Sequence, residues 1–203
     1  VNKIRYGFRI THIDNIPYIS ETGFVLPGSE FASSTYKSIG DSEVIEKRAT
    51  MIKGYDLVQY IPFYFGPRSV MLYVIQHGYN GVQRIEPEKI VYCVVKIDEL
   101  VKNDIDCIFT DGHALSMLTS FYKKDRLSKI SQIIDYDDVY STQWNSEIDI
   151  DLKRRKEAEL LVKNDLPVHL ICGYVVYNDK AKHTLIQMGI EENRIVVSSG
   201  YYF

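Results

Sequence analysis

The feature that most constrains this chain is the length and spacing of its apolar runs. Each is short, rich in β-branched and aromatic residues, and bounded by turn signals or by polar, helix-competent segments. None approaches the roughly 20 apolar residues needed to span a bilayer. Runs of this size are buried as strands and short helices. Tyr6-Gly7-Phe8-Arg9-Ile10-Thr11-His12 reads as a strand, after which Asp14 offers an N-cap for a helix closed by Gly23 in a left-handed cap. Residues 28–56 are polar and irregular, with only 43–51 helical, a length that suits a functional loop. Tyr60-Ile61-Pro62-Phe63-Tyr64-Phe65 is strand-like, and its proline favours an edge or terminal place in a sheet. Residues 70–77 fit a buried helix or a strand. Residues 90–97 form the clearest central strand, followed by a short helix from Asp98, then a strand over 106–110 and a turn at Asp111-Gly112-His113-Ala114. Local propensity makes 152–162 a helix. A strand over 168–177, a helix over 178–188 ended by Gly189 and a strand over 194–199 complete the chain. Strands and helices interleave, which predicts an α+β (mixed α/β) fold. With no internal repeat and no linker, residues 1–203 read as one domain.

Composition adds exclusions. A net charge of −3 gives no overall pull toward a polyanion, so nucleic-acid binding requires a local cationic patch. Two clusters could supply one: Lys123, Lys124, Arg126 and Lys129, and Lys153, Arg154, Arg155 and Lys156. Charge runs of this kind are more often solvated faces. Cys93, Cys107 and Cys172 are odd in number, widely spaced and set among apolar residues, so each is expected to be a buried thiol rather than a metal ligand or half of a disulfide. The start, Val1-Asn2-Lys3-Ile4, shows no secretory signal, which leaves the cytoplasm as the expected compartment. No Gly-x-Gly-x-x-Gly motif supports a Rossmann-type nucleotide site.

Five segments carry the chemistry: Arg9-Ile10-Thr11-His12-Ile13-Asp14-Asn15; Glu46-Lys47-Arg48-Ala49; the string from Tyr60 through Gly66-Pro67-Arg68-Ser69 to Tyr73; Phe109-Thr110-Asp111-Gly112-His113-Ala114; and Arg155-Lys156-Glu157-Ala158-Glu159-Leu160-Leu161-Val162. The chain closes with Ser199-Gly200-Tyr201-Tyr202-Phe203. In order, spacing and wording they resemble the DarT family, DNA ADP-ribosyltransferase toxins partnered by the macrodomain antitoxin DarG. The likeness runs from about residue 6 to the C-terminus. It implies the ADP-ribosyltransferase fold, a split β-sheet flanked by helices with NAD⁺ in the cleft between its halves. It also implies transfer of ADP-ribose from NAD⁺ to a base of single-stranded DNA, thymidine in preference to guanosine. No metal and no membrane enter that chemistry. RNA or protein as acceptor, NAD⁺ hydrolysis, and a non-enzymatic single-strand-binding module are the alternatives.

The resemblance assigns residues as well. The family's catalytic glutamate falls on Glu159, which moves 158–162 from helix to strand; Glu157 stands where the family has Gln and adds a second carboxylate. Breaking the nicotinamide–ribose bond develops oxocarbenium character, which a carboxylate in a dry cleft stabilises. Arg48 matches the family's Lys-Arg-Ala arginine and supplies a permanent cation. Arg9, Ile10 and Thr11 align with the strand that lines the NAD⁺ site, and Tyr18, Leu26 and Arg48 add further cofactor contacts. Residues 31–50 match a cofactor-covering element, and 113–159 a substrate-recognition loop. In that loop Tyr122, Tyr136, Tyr140 and Trp144 are candidates for base stacking, with His113, Lys123, Lys124 and Arg154 as DNA contacts.

Overall fold

The computed structural model describes residues 3–203, so the N-terminal reading at Val1 and Asn2 lies outside the described residues. The elements in chain order are β1 (Tyr6–His12), α1 (Ile16–Thr22), α2 (Ser42–Lys47), β2 (Met51–Ile52), β3 (Tyr55–Asp56), β4 (Tyr60–Tyr64) and α3 (Val70–His77), then β5 (Ile90–Lys96), α4 (Ile97–Lys102), β6 (Cys107–Thr110), β7 (Phe121–Lys123), α5 (Tyr136–Tyr140) and α6 (Leu152–Lys156), and finally β8 (Glu159–Lys163), β9 (Ile171–Val176), α7 (Asp179–Gln187) and β10 (Ile195–Val197). Eight strands form one sheet in the order β10-β9-β5-β1-β4-β8-β6-β7; β2 and β3 make a separate ribbon. All pairings in the large sheet are antiparallel except β9 with β10.

Burial follows strand alternation. Val91, Cys93 and Val95 of β5 face a core with Phe63, Phe109, Leu160 and Val162, covered by Ile16 and Ile19 of α1 and Leu100 of α4. Ile90, Tyr92 and Val94 face the other side, where Phe8, Val175 and Tyr202 meet Leu72 and Ile75 of α3. A strand covered on both faces needs an unbroken apolar run, which is what 90–95 provides before exposed Lys96.

The sheet is divided in the middle. β1 pairs with β5 along its whole length, from Tyr6↔Lys96 to His12↔Ile90, but with β4 only at Phe8↔Tyr64. Beyond Phe8 the β4-facing edge of β1 opens into a gap. This explains why Pro62 sits in an interior strand and not at the expected edge. In an extended strand the N–H and C=O of one residue point to the same side. The Pro62 carbonyl accepts the Arg9 guanidinium at 3.0 Å, so its missing N–H also faces the gap, where no ladder exists.

Other expectations are corrected. Asp14 does not cap the first helix: His12 Nδ1 caps a short 3₁₀ turn over Ile13–Asn15, α1 begins at Ile16, and Asp14 is paired with Lys37. Gly23 does close α1, at φ 79°, and a Cβ there would lie 2.0 Å from the Leu166 carbonyl. Residues 168–170 form a 3₁₀ turn before β9. Cys93 and Cys107 are buried, but Cys172 is exposed, because it faces outward on β9, one residue along from buried Ile171.

Candidate active site

Residues 152–162 split where the backbone must change role. α6 ends at Lys156, Glu157 and Ala158 form the joint, and β8 starts at Glu159. Pairing of β8 with β4 on one side and β6 on the other overrides the helix propensity of these residues. Glu159 is therefore fixed at the first position of an interior strand, only 1% exposed. Its N–H donates to Thr110 Oγ1 at 3.0 Å, which locks the backbone beside β6.

Both carboxylate oxygens of Glu159 are occupied. Oε2 accepts Arg48 Nη2 at 2.8 Å, and Oε1 accepts the Ala114 N–H at 3.0 Å. Burial alone would push this carboxyl up. The Arg48 charge and hydrogen bond, with His113 and the Ala114 N–H, outweigh it and hold the group below the ordinary carboxylate range. Burial likewise opposes charge on Arg48, and Glu159 more than restores it, so the guanidinium is held above its usual value. A fully ionised pair results.

Arg48 arrives from an unusual support. It follows α2, which buries none of its own residues and is capped by Asp41, whose carboxylate accepts from Glu43 N–H and Val44 N–H. The ion pair to Glu159, 111 residues away, thus ties this exposed helix to the sheet.

The expected cofactor residues divide between the gap and its surroundings. Arg9 lies over the Phe24 ring, 5.2 Å from its centre, and its buried Nε has no hydrogen-bond partner. Thr11 is buried, bonded to the Tyr36 hydroxyl at 3.1 Å and to Asn15 Nδ2 at 2.9 Å. Ile10 turns to the opposite face, into the core of Phe8 and Tyr92. The Tyr18 hydroxyl donates to the Phe31 carbonyl at 2.5 Å, and Leu26 N–H donates to Asp165 Oδ1 at 2.7 Å. Asn15 clamps the Lys37 backbone from both sides, Oδ1 accepting its N–H at 2.8 Å and Nδ2 donating to its carbonyl at 2.9 Å. Thr11, Tyr18 and Asn15 thus tie residues 31–37 to β1, the turn that follows it and α1. Asn15, Tyr36 and Asp165 were missed in the sequence; Asn15 closes the quoted Arg9–Asn15 string, while nothing local marks the other two. Tyr64 was missed too: it pairs with Glu159 across the strands, and burial together with Glu159 and Glu157 pushes its hydroxyl well above the usual tyrosine range.

The expected DNA contacts divide. His113 sits at the site; burial lowers its pKa against the raising field of Glu159, so it is neutral at pH 7. Lys123 is exposed on the edge strand β7. Lys124 is paired with Asp104 at 2.7 Å. Arg154 is committed to Asp151 and Asp111 at 2.7 and 3.0 Å, and Arg155 bridges Asp138 and Asp149. Lys156 is buried, donating to the Val139 and Pro67 carbonyls at 3.2 and 3.4 Å. The 153–156 run is chiefly an internal ion-pair frame, not the cationic patch expected. The tyrosines and tryptophan are also engaged: Tyr122 stacks on Phe109, Tyr136 on Tyr140, and Trp144 packs against Tyr73 and Phe203. Within residues 113–159 the large apolar side chains left open are Met117, Leu118, Ile148 and Ile150, the first beside Lys53, whose ammonium donates to the Met117 and Thr119 carbonyls. Two concavities lie away from this centre, lined by Asp135, Asp138 and Arg155 and by Tyr55, Tyr60 and Lys124. No metal-ligand group occurs among the described residues.

The arrangement can stabilise a cation developing next to Glu159 and hold anionic groups between Arg9 and Arg48. A family model described as "ssDNA thymidine ADP-ribosyltransferase, DarT" matches residues 8–203. The chain is 32% identical over 204 residues to the DNA ADP-ribosyl transferase of Escherichia coli O127:H6, covering 97% of this chain and 92% of that protein. It is 32% identical to a DNA ADP-ribosyl transferase–DNA ADP-ribosyl glycohydrolase fusion protein of Thermosipho africanus, covering 99% of this chain and 50% of the fusion. Thermus sp. 2.9 DarT in complex with NAD⁺ superimposes with a TM-score of 0.78 at 25% identity, over 100% of this chain and 99% of that one.

Proposed function

The chain belongs to the DarT family of single-stranded-DNA ADP-ribosyltransferases, and from that premise we propose that Glu159 and Arg48 carry its chemistry. It is an NAD⁺-dependent enzyme that transfers ADP-ribose to a base of single-stranded DNA. Thymidine is the acceptor we assign, in line with the family description. The observation that carries the assignment of residues is the buried Arg48–Glu159 pair at the mouth of the split sheet.

NAD⁺ brings the scissile nicotinamide–ribose bond and a pyrophosphate. The residues present suit it: Arg9 has a buried, unpartnered Nε in the gap, and the backbone edge of β1 there has no strand to bond. Arg9, Ile10, Thr11, Tyr18, Leu26 and Arg48 are the residues we assign to hold it. Thr11 and Tyr18 do so together with residues 31–50, read as the covering element. Glu159 is ionised and rigid, so it meets developing positive charge on the ribose without reorganisation, an effect worth roughly 3–4 kcal/mol per group. Arg48 orients that carboxylate and stabilises negative charge on the acceptor or pyrophosphate. Arginine stays charged and is no proton acceptor.

Residues 113–159 are read as the substrate-recognition loop, with His113 as a neutral hydrogen-bonding contact to a base. The exposed Met117 and Leu118 are better placed for a base face than the internally stacked tyrosines. A macrodomain glycohydrolase of the DarG type is the partner we assign, supported by the fused arrangement in Thermosipho africanus, with this chain as the toxin. Among the described residues no helix is long and apolar enough to cross a membrane.

The test is nucleoside mass spectrometry of single-stranded DNA of mixed sequence incubated with enzyme and NAD⁺. One ADP-ribose added to thymidine, with equimolar nicotinamide, is expected. Glu159→Gln should reduce transfer by at least about 10²-fold; wild-type transfer by that variant would remove the role given to Glu159. Addition to RNA or protein in place of DNA would redirect the acceptor.

A further inference from the structure

The carboxylate of Glu159 is gripped by two arms that lie outside the large sheet. Arg48 reaches Oε2 from the end of α2, which buries none of its own residues, and Ala114 N–H reaches Oε1 from the turn after β6. The two arms meet a second time. Lys53, at the tip of the β2–β3 hairpin that follows Arg48, donates its ammonium to the Met117 carbonyl at 2.8 Å and the Thr119 carbonyl at 2.5 Å. In the same hairpin Tyr55 stacks on Phe121, with ring centres 5.1 Å apart and planes within 12°. Ile52 and Tyr55 also pack against the cluster that holds Ala114 and Leu161. These contacts close a ring from Glu159 through Arg48, the hairpin, Lys53 and the 117–119 backbone to Ala114 and back. The tip of the hairpin is built against local preference. Lys53 and Gly54 both have left-handed backbones, φ 49° and 86°, as a two-residue type I′ turn requires, and its first position favours Asn, Asp or Gly. A lysine held there under strain points to a use for its side chain.

Resting on the reading above, we infer that Lys53 is a positioning residue that couples the two substrates, so that NAD⁺ and single-stranded DNA bind cooperatively. One arm, residues 113–119, is read as touching DNA, and its exposed Met117 and Leu118 are the faces offered to a base. The other arm carries Arg48, assigned to NAD⁺. DNA seated on Met117 and Leu118 orders the backbone whose carbonyls hold Lys53. Through the hairpin it also holds Arg48 beside Glu159. Once one ligand has fixed the ring, the other binds to arms already ordered, and the coupling is equal in both directions. Lys53 acts only through these backbone carbonyls, so it shapes binding without entering the chemistry.

Calorimetry with carba-NAD⁺, whose carbocyclic ring keeps the nicotinamide bond from breaking, measures cofactor affinity with and without a saturating thymidine-containing oligonucleotide. In the wild type the oligonucleotide should tighten carba-NAD⁺ binding at least about fivefold, the lower end of ordinary coupling between sites. Lys53→Asn suits the turn better and removes the cation. Its Tm should therefore equal or exceed that of the wild type, while the ratio of the two affinities falls to about one. Lys53→Arg, which can again donate to two carbonyls, should restore the ratio. Coupling of wild-type size in Lys53→Asn overturns the inference. So does a wild type that binds carba-NAD⁺ and oligonucleotide independently, a result that leaves the proposed function in place. A wild type that transfers no ADP-ribose to DNA strikes the functional reading, and the inference with it.

Discussion

At the scale of single residues, the site is organised by charges that cannot leave. Removing one partner of a buried ion pair strands the other, at a cost of about 3–5 kcal/mol. Arg48→Ala should therefore lower the Tm at pH 7 as well as transfer. The folded-state pKa of Glu159 is depressed, so its pair contributes stability above the unfolded carboxylate value and loses it as pH falls through the folded one. In Arg48→Ala the stranded carboxylate is relieved by protonation, so the Tm gap from wild type should narrow between pH 7 and about 4. A gap constant over that range would mean that Arg48 acts through packing, not charge. Lys156 has linkage of the same sign in an alkaline window, although there the folded state is penalised below the window and not rewarded above it. Burial lowers its amine to about 8, so between about 8 and the ordinary lysine value the unfolded chain binds more protons than the folded one. Stability from this group rises with pH across that window, and urea denaturation of Lys156→Met should lack the rise. Glu159 could be picked out only through its match to the family's catalytic segment; Lys156 looked like one more member of a basic run, because burial by Val139 and Pro67 is set by residues outside its local segment.

At the scale of elements, close backbone approach decides which loops sit where. A Cβ on Gly66 would stand 2.1 Å from the Val139 carbonyl, so the turn after β4 is seated directly on α5. Gly66→Ala must separate them. It should destabilise by about 1–3 kcal/mol as overpacking does, read as a Tm loss, and should displace Lys156, which bonds both sides of that joint. The segment around Lys37 depends on polar ties. Asn15→Ala leaves the Lys37 backbone without either bond, so protease cleavage within residues 28–41 should accelerate, and NAD⁺ should slow it again. Equal cleavage of wild type and variant would mean that the segment is held by packing. Strands such as 6–12 and 90–97 could be read directly, since periodicity and β-branched content are properties of the strand itself. The 158–162 strand could not, because Ala, Glu and Leu favour helix, and only pairing with β4 and β6 makes it extended.

At the scale of the molecule, a net charge of −3 coexists with a nucleic-acid substrate because few cations are free near the site. Arg154, Arg155 and Lys124 are held by aspartates. Binding of a catalytically dead variant to single-stranded DNA should therefore show a shallow salt dependence, about two to three phosphates' worth at roughly −0.7 each in the log–log slope. A slope several times steeper would require a cationic track elsewhere on the surface. What the sequence determined by itself is whatever depends on neighbours in the chain: the mixed α+β class, the central strands, the glycine at the end of α1, and, through long motif strings, the pair Glu159 and Arg48. The tertiary structure alone decided that Pro62 could enter an interior strand beside a gap, that the stacking candidates Tyr122, Tyr136 and Trp144 would turn inward, and that Lys53 would meet the carbonyls of Met117 and Thr119. Those outcomes depend on which distant groups share a space, and burial and hydrogen-bond saturation exist only once the chain has closed around them.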